Sequence, residues 1–235
     1  YTLISFLEQR FGVWSAMGGT GSIVKGMTGL IEGLGGKIEC NAEVEEILVD
    51  QGAVGGVRLA DGRTLHSDLV VSNADAAWTY RHLIKAEHRK RWTDRKIDRS
   101  HFSNGLFVWY FGTEGKYPDV PHHSVILGPR YKGLLDDIFK RKVLADDFSL
   151  YLHRPTETDP SLAPEGCDTF YALAPVPHLD ADVDWPTYAE TFKERICQRL
   201  EETMLPGLRE RIVTSRLLTP QDFRDRLNSV KGAAF

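Results

Sequence analysis

The sequence predicts an α+β fold, in which a mixed or antiparallel sheet flanked by helices accompanies a separate β-meander. Two helical patterns, one at 21–34 and a long one near 186–204, carry apolar residues at every third or fourth position. Between 37 and 75 the pattern changes to short strands with strong turn signals, Gln51-Gly52 and then Asp61-Gly62, a good hairpin turn. Further on, three segments are apolar on both faces, which a sheet with one solvated face would not be.

Taken in order, residues 1–11 read as a helix. Residues 21–34 read as a second, with Ile23, Met27, Leu30, Ile31 and Leu34 on one side and Gly35-Gly36 as its stop. KIEC, EVEEILVD, AVGGVRLA and TLHSDLVVSNA then read as a meander, whose last strand, LVV, is expected to dive into a core. Residues 76–100 read as a basic helix whose charged side faces solvent or anionic lipid.

NGLFVWYFG, FSLYLHR and TFYALAPV are the two-sided apolar strands. In the first, Leu106, Val108 and Tyr110 point one way, and Phe107, Trp109 and Phe111 the other. Helices on both faces would account for this; so would one face roofing a cavity for a large apolar ligand. A helix at 131–141 separates the first two strands. In the long helix Tyr188, Phe192, Ile196, Leu200 and Met204 repeat every four residues, and Pro206-Gly207 ends it. RIVTSRLLTP reads as a strand and QDFRDRLN as a short helix.

The bulk numbers exclude several functions. A chain of 235 residues, 42% hydrophobic, can build one sizeable core or two small domains. Its formal charge of −4 gives no basic excess for nucleic acid. Cys40, Cys167 and Cys197 are odd in number and widely spaced, so neither a disulfide framework nor a cysteine zinc site is expected, and a reducing compartment fits. No apolar run reaches the roughly 18 residues of a membrane span.

Motifs give little by spacing alone. Gly21 and Gly26 have the separation of a phosphate loop, but Met27 and Thr28 follow where Lys and Ser or Thr belong. Gly19-Thr20-Gly21 begins a dinucleotide fingerprint, with Glu39 where a ribose-binding acid would sit. Val24, however, is too bulky for the third glycine position. The stretch is therefore read as a tight turn capped by Thr20 or Ser22. No metal site is expected at His122-His123, because neighbours on an extended chain point to opposite sides. No catalytic group stands out, and the catalytic residues are left unknown.

Several stretches resemble one enzyme family. GGTGSIVKGMTGLIEGLGGKIECNAEVEEI, DLVVSNADAAWTYRHLI, SNGLFVWYFG, HHSVILGPRYKGLLDDIF and TPQDFRDRLNSVKGAAF all fit it, and FSLYLHRPTETDPSLAPEGCDTFYALAPVPHL is the most specific. The chain resembles the central part of bacterial and fungal-type phytoene desaturases, carotenoid enzymes of the flavin amine oxidase superfamily. The family's strand–GxGxxG–helix is absent, and Tyr1 opens the chain inside a helical pattern. We therefore expect a fragment of a longer enzyme, inactive by itself and not binding its flavin.

The resemblance implies FAD as cofactor and phytoene or related C40 carotenoids as substrate, desaturated to neurosporene, lycopene or similar products. It implies that residues 1–17 and 76–215 form the substrate domain. Residues 18–75 would be part of a Rossmann-type FAD domain, and 216–235 a return segment toward it. Val44, from Asn41-Ala42-Glu43-Val44-Glu45-Glu46-Ile47, would contact the adenine side of FAD through its backbone, with Asn73 and Ala74 nearby. Leu106 or Phe107, Trp109 or Tyr110, Tyr151 and Tyr171 would line the substrate tunnel. A cytoplasmic protein held peripherally on the membrane is implied, and self-association is expected through apolar surface that lacks its cover. A sister carotenoid desaturase or isomerase, or a non-catalytic hydrophobe-binding module, are the alternatives.

Overall fold

Strand pairing in this molecule is antiparallel throughout and divides into two sheets. The computed structural model describes residues 2–235. Helix α1 (Thr2–Phe11) and helix α2 (Thr20–Gly33) lead into the strands β1 (Val44–Asp50), β2 (Ala53–Leu59) and β3 (Thr64–His66). Next come the short helices α3 (Ala76–Trp78) and α4 (Asp94–Asp98), then β4 (Gly105–Glu114) and β5 (His123–Ile126). After α5 (Tyr131–Asp136) lie β6 (Leu150–His153), β7 (Cys167–Val176), the long α6 (Trp185–Thr203) and α7 (Leu208–Arg211). The chain then forms β8 (Ile212–Leu218) and α8 (Pro220–Leu227).

The first sheet is the meander β1-β2-β3. Gln51 (φ 48°) and Gly52 (φ 84°) turn β1 into β2 with two left-handed residues, the geometry that matches strand twist. Gly56 faces His66 across the β2–β3 pair, at φ 130°. A Cβ there would stand 2.0 Å from the Leu65 carbonyl oxygen, whereas one on Gly55 would meet nothing within 4 Å. Gly56→Ala should therefore cost at least about 2 kcal/mol, as strain plus a backbone clash. Gly55→Ala should stay within about 0.5 kcal/mol. Denaturation midpoints of the two variants test this, and equal midpoints would refute it.

The second sheet has the order β5-β6-β7-β4-β8. Strand β4 sits inside it, with all ten of its residues in register against β7 (Gly105↔Val176 to Glu114↔Cys167). Alternate residues of β7 are buried, which marks one face as the core side. That face carries Phe107, Trp109, Phe111, Leu150, Leu152, Phe170, Ala172 and Ala174, packed with Phe192, Ile196 and Leu200 of α6. The four-residue repeat of α6 thus supplies the cover for one side of the two-sided strands. Trp109 Nε1 donates to Ser215 Oγ at 2.7 Å, so the indole is buried without an orphaned donor.

Four local expectations need correction. KIEC and LVV are not strands; Leu69 and Val71 are 75% and 85% exposed. A strand needs a neighbour to take its hydrogen bonds, and this chain gives these segments none. The expected single helix over 76–100 is broken into α3, a wide π turn at Thr79–Leu83, a 3₁₀ turn at Ala86–His88, and α4. Polar side chains start new helices within it: Asp75 Oδ1 accepts from Trp78 N at 2.8 Å, and Thr93 Oγ1 from Lys96 N at 3.3 Å. Neither Thr20 nor Ser22 caps α2. Gly19 is the cap residue, and the Ser22 hydroxyl instead donates to the carbonyls of Met17 and Gly19.

Helix α2 has no buried residue; Ile23, Val24, Met27, Leu30 and Ile31 are all exposed. Its apolar stripe, clear in the sequence, has no partner among the described residues.

Candidate functional site: the open aromatic face

The face of the large sheet opposite α6 is built from the other parity of the same strands. Register places Tyr110 opposite Tyr171, Leu106 opposite Pro175, Tyr151 opposite Leu173, and His153 opposite Tyr171. His123 of β5 stands opposite His153. The result is a run of rings across four strands. Tyr110 to Tyr171 and Tyr171 to Tyr151 are each 5.6 Å between centroids, Tyr171 to His153 is 4.8 Å, and His153 to His123 is 5.2 Å. Such spacings are those of attractive aromatic contacts.

Of the wall candidates, Tyr110, Tyr151, Tyr171 and Leu106 are therefore on one face. Phe107 and Trp109 are not. Both are 0% exposed on the other face, Phe107 with its ring 5.0 Å from Phe192 and 5.7 Å from Trp185. The alternation along β4 had left this choice open, and α6 closes it. Toward β8 the open face meets α8, where Tyr110, Leu218, Phe223 and Leu227 help line a recess of about 250 Å³.

Two phenols and two imidazoles of this region are held uncharged, while the cationic Arg216 of β8 stands opposite Tyr110. Burial pushes the Tyr171 phenol up to about 12, with Tyr151 adding to the shift, and raises Tyr110 in the same sense. Burial also pushes His153 down to about 4, helped by His122 and His123. His122 is lowered chiefly by burial. At neutral pH both phenols stay protonated and both imidazoles uncharged.

His153 and His123 were missed as members of this face. The signal for His153 was present, since it is two residues from Tyr151 on one strand. The expected divergence of His122 and His123 is corrected as well. The strand begins at His123, so alternation does not govern His122, whose ring stacks on His123 at 4.3 Å.

The second group of candidates lies at the smaller sheet. Val44 is the first residue of β1, half-buried and paired with Leu59. Asn73 and Ala74 are exposed in the loop before Asp75. Ala74 lines a depression of about 320 Å³ with Ile47, Val54, Val70, Ser72 and Tyr80; Val44 and Asn73 do not line it. Close by, Lys85 Nζ at 2.8 Å, together with Arg58, holds the Glu46 carboxyl below its usual range.

The glycine turn that looked like a phosphate cradle is occupied by the chain's own acid. Gly18 N donates to Asp159 Oδ2 at 2.5 Å, and Asp159 also accepts from Ser161 N and Oγ. These bonds, Ser161 first, hold the Asp159 carboxyl below its usual range. Glu39 is likewise engaged, 2.6 Å from Arg63 Nη2.

With this geometry in place, the relatives are informative. The profile of the flavin containing amine oxidoreductases matches residues 1–226. The chain is 52% identical, over all its length and 46% of the relative's, to a neurosporene-forming phytoene desaturase of Cereibacter sphaeroides. It is 50% identical to a lycopene-forming phytoene desaturase of Pseudescherichia vulneris, again over its full length and 48% of the relative's. The chain thus spans about half the length of the curated relatives it matches. A solved oxidoreductase from Methanosarcina mazei shares the fold, with a TM-score of 0.61 at 21% identity over 90% of this chain and 45% of that one.

Proposed function

From the premise that this chain belongs to the flavin containing amine oxidoreductases, we propose that its parent protein is an FAD-dependent phytoene desaturase. One structural observation carries the reading: the ring-lined face of Tyr110, Tyr171 and Tyr151, uncovered by α6. A C40 hydrocarbon offers no hydrogen bonds, so it must be recognised by apolar shape. This face, continued by the buried Leu106, supplies such a surface. When bound, the flavin would supply the redox chemistry of C–C desaturation, while the protein binds and orients the substrate.

In this reading residues 18–75, helix α2 with the β-meander, side with the cofactor, and Val44, Asn73 and Ala74 border it. Residues 1–17 and 76–215 hold the substrate, and 216–235 return toward the flavin. The bare stripe of α2 is then a surface that the rest of the parent covers. No described helix is long and apolar enough to cross a membrane. The substrate lives in lipid, so peripheral contact with the membrane completes the proposal. Phe107 and Trp109 serve this face only as packing from behind.

The test uses the full-length protein with FAD and phytoene-loaded liposomes, followed by visible absorbance. A three-fingered polyene spectrum that disappears without FAD is expected, and its position counts the desaturation steps. Tyr171→Asp should cut turnover at least about tenfold while leaving flavin absorbance in place, because an ionised group then faces hydrocarbon. Bound flavin with colourless phytoene would move the reading to a sister carotenoid substrate. Absence of flavin from the complete protein would leave a hydrophobe-binding module.

A further inference from the structure

His122, His123 and His153 are drawn together by the fold at the edge of the aromatic face. One ring nitrogen from each lies within 4.8 Å of the other two. The β5–β6 register holds His123 opposite His153, and Arg154 N donates to the His122 carbonyl at 2.9 Å, so all three backbones are fixed. The Nε2 atoms of His122 and His153 face each other at 2.7 Å.

The remaining nitrogens carry the argument. His122 Nδ1 is hydrogen-bonded to Thr158 Oγ1, and His123 Nδ1 to Tyr151 Oη at 2.5 Å. An oxygen partner on the far nitrogen is what orients an imidazole toward a metal. His153 Nδ1 is buried with no hydrogen-bond partner, and its Nε2 meets only another imidazole. Neither nitrogen of His153 is committed to an oxygen. The His122–His153 contact is thus an imidazole–imidazole hydrogen bond beside the ring of His123, and a cation shared by the three side chains would take its place.

We propose that His122, His123 and His153 form a site for a divalent transition-metal ion of the zinc class. Imidazole favours zinc, copper, iron and nickel over calcium or magnesium. Zinc–nitrogen bonds of about 2.0–2.1 Å at tetrahedral angles need nitrogens about 3.3 Å apart, so the His122–His153 pair opens by about 0.6 Å to admit the ion. Three protein ligands leave a fourth position, which the exposed His123 opens to solvent or to a small donor ligand. The ion would tie β5 and β6 to the turn that carries Thr158, at the β5 end of the face and next to Tyr151.

The test is metal binding by the untagged, chelator-stripped full-length protein, titrated with Zn²⁺ and followed calorimetrically. Co²⁺ serves as a visible-absorbing substitute. One equivalent is expected to bind, with the Co²⁺ spectrum of a four-coordinate nitrogen site. His123→Ala, which removes an exposed ring and leaves the core intact, should weaken Zn²⁺ at least about tenfold, as should His153→Gln; Thr158→Val should weaken it by about 10–100-fold. His88→Ala, at a distant turn, should leave binding unchanged. No saturable uptake, or uptake indifferent to all three variants, would overturn the proposal and leave a hydrogen-bonded imidazole stack. Metal uptake is read without turnover, so this result stands apart from the fate of the desaturase reading.

Discussion

Asp168→Ala is expected to destabilise the large sheet by about 3–5 kcal/mol, because three buried donors lose their acceptor at about 1–3 kcal/mol each. Asp168 is 1% exposed and is saturated by three donors: Arg154 Nε at 3.0 Å, Thr156 Oγ1 at 2.7 Å and Tyr117 N at 2.8 Å. Arg154, itself 4% exposed, also donates to the Val120 carbonyl at 2.8 Å and to Glu157 at 2.6 Å. Removing the carboxylate leaves Arg154 Nε, the Thr156 hydroxyl and the Tyr117 amide without their acceptor, while Arg154 keeps Glu157 and the Val120 carbonyl. A double variant, Arg154→Met with Asp168→Leu, should regain only part of the loss, since the Tyr117 amide and Thr156 hydroxyl stay unpaired. Urea titration followed by tryptophan fluorescence measures this. A loss below about 1 kcal/mol for Asp168→Ala would show that water or a relaxed turn replaces the bonds. The turn matters to the site, because Arg154 follows His153 directly and the same turn carries Thr158. Loosening it should also loosen the histidine cluster.

The second large effect lies on the covered face. Phe192→Ala should cost about 3–5 kcal/mol, the range for deleting a buried aromatic ring and leaving a cavity. Phe192 is 0% exposed, and its ring is 5.0 Å from Phe107, 5.1 Å from Phe148 and 6.2 Å from Trp185. Those neighbours belong to a strand, a loop and the start of α6 itself, so none can collapse into the space without moving the others. Phe192→Leu, which keeps most of the volume, should cost less than about 1.5 kcal/mol. The same denaturation experiment separates the two, and equal midpoints would mean that α6 re-seats on the sheet. Phe192 touches nothing on the open face, so its loss should reach substrate handling only through Phe107 and β4.

The two faces of β4 show how far sequence reading reaches. Alternation of Leu106, Val108 and Tyr110 with Phe107, Trp109 and Phe111 established that both sides are buried or bound, because period two is a property of the extended chain alone. Which side took the helix was not legible. That depended on where α6, more than seventy residues later in the chain, returns to pack, and its apolar repeat carries no address. The hairpins at Gln51-Gly52 and Asp61-Gly62 were legible for the same local reason, since left-handed turn residues sit between the strands they join.

The failures share a cause. KIEC and LVV have strand-like residues, but a strand exists only where a neighbour accepts its backbone hydrogen bonds, and none does so here. The segment 76–100 has helix-forming composition, yet Asp75 and Thr93 cap separate short helices inside it. Thr20 or Ser22 was expected to cap α2, yet Gly19 is the cap residue and the Ser22 hydroxyl turns back to Met17 and Gly19. His122 and His123 were expected to diverge, and they stack because β5 begins between them.

Local chemistry, then, was enough to specify the turns, the helix stripes, the two-sided strands and the family to which the chain belongs. Those features depend on residues within a few positions of one another or on short motifs. The aromatic face, the Asp168 network and the three-histidine cluster arise only when β5, β6, β7 and β4 pair and the 155–162 turn folds against them. Each joins residues tens of positions apart, and strand register, which long-range packing alone decides, sets their distances.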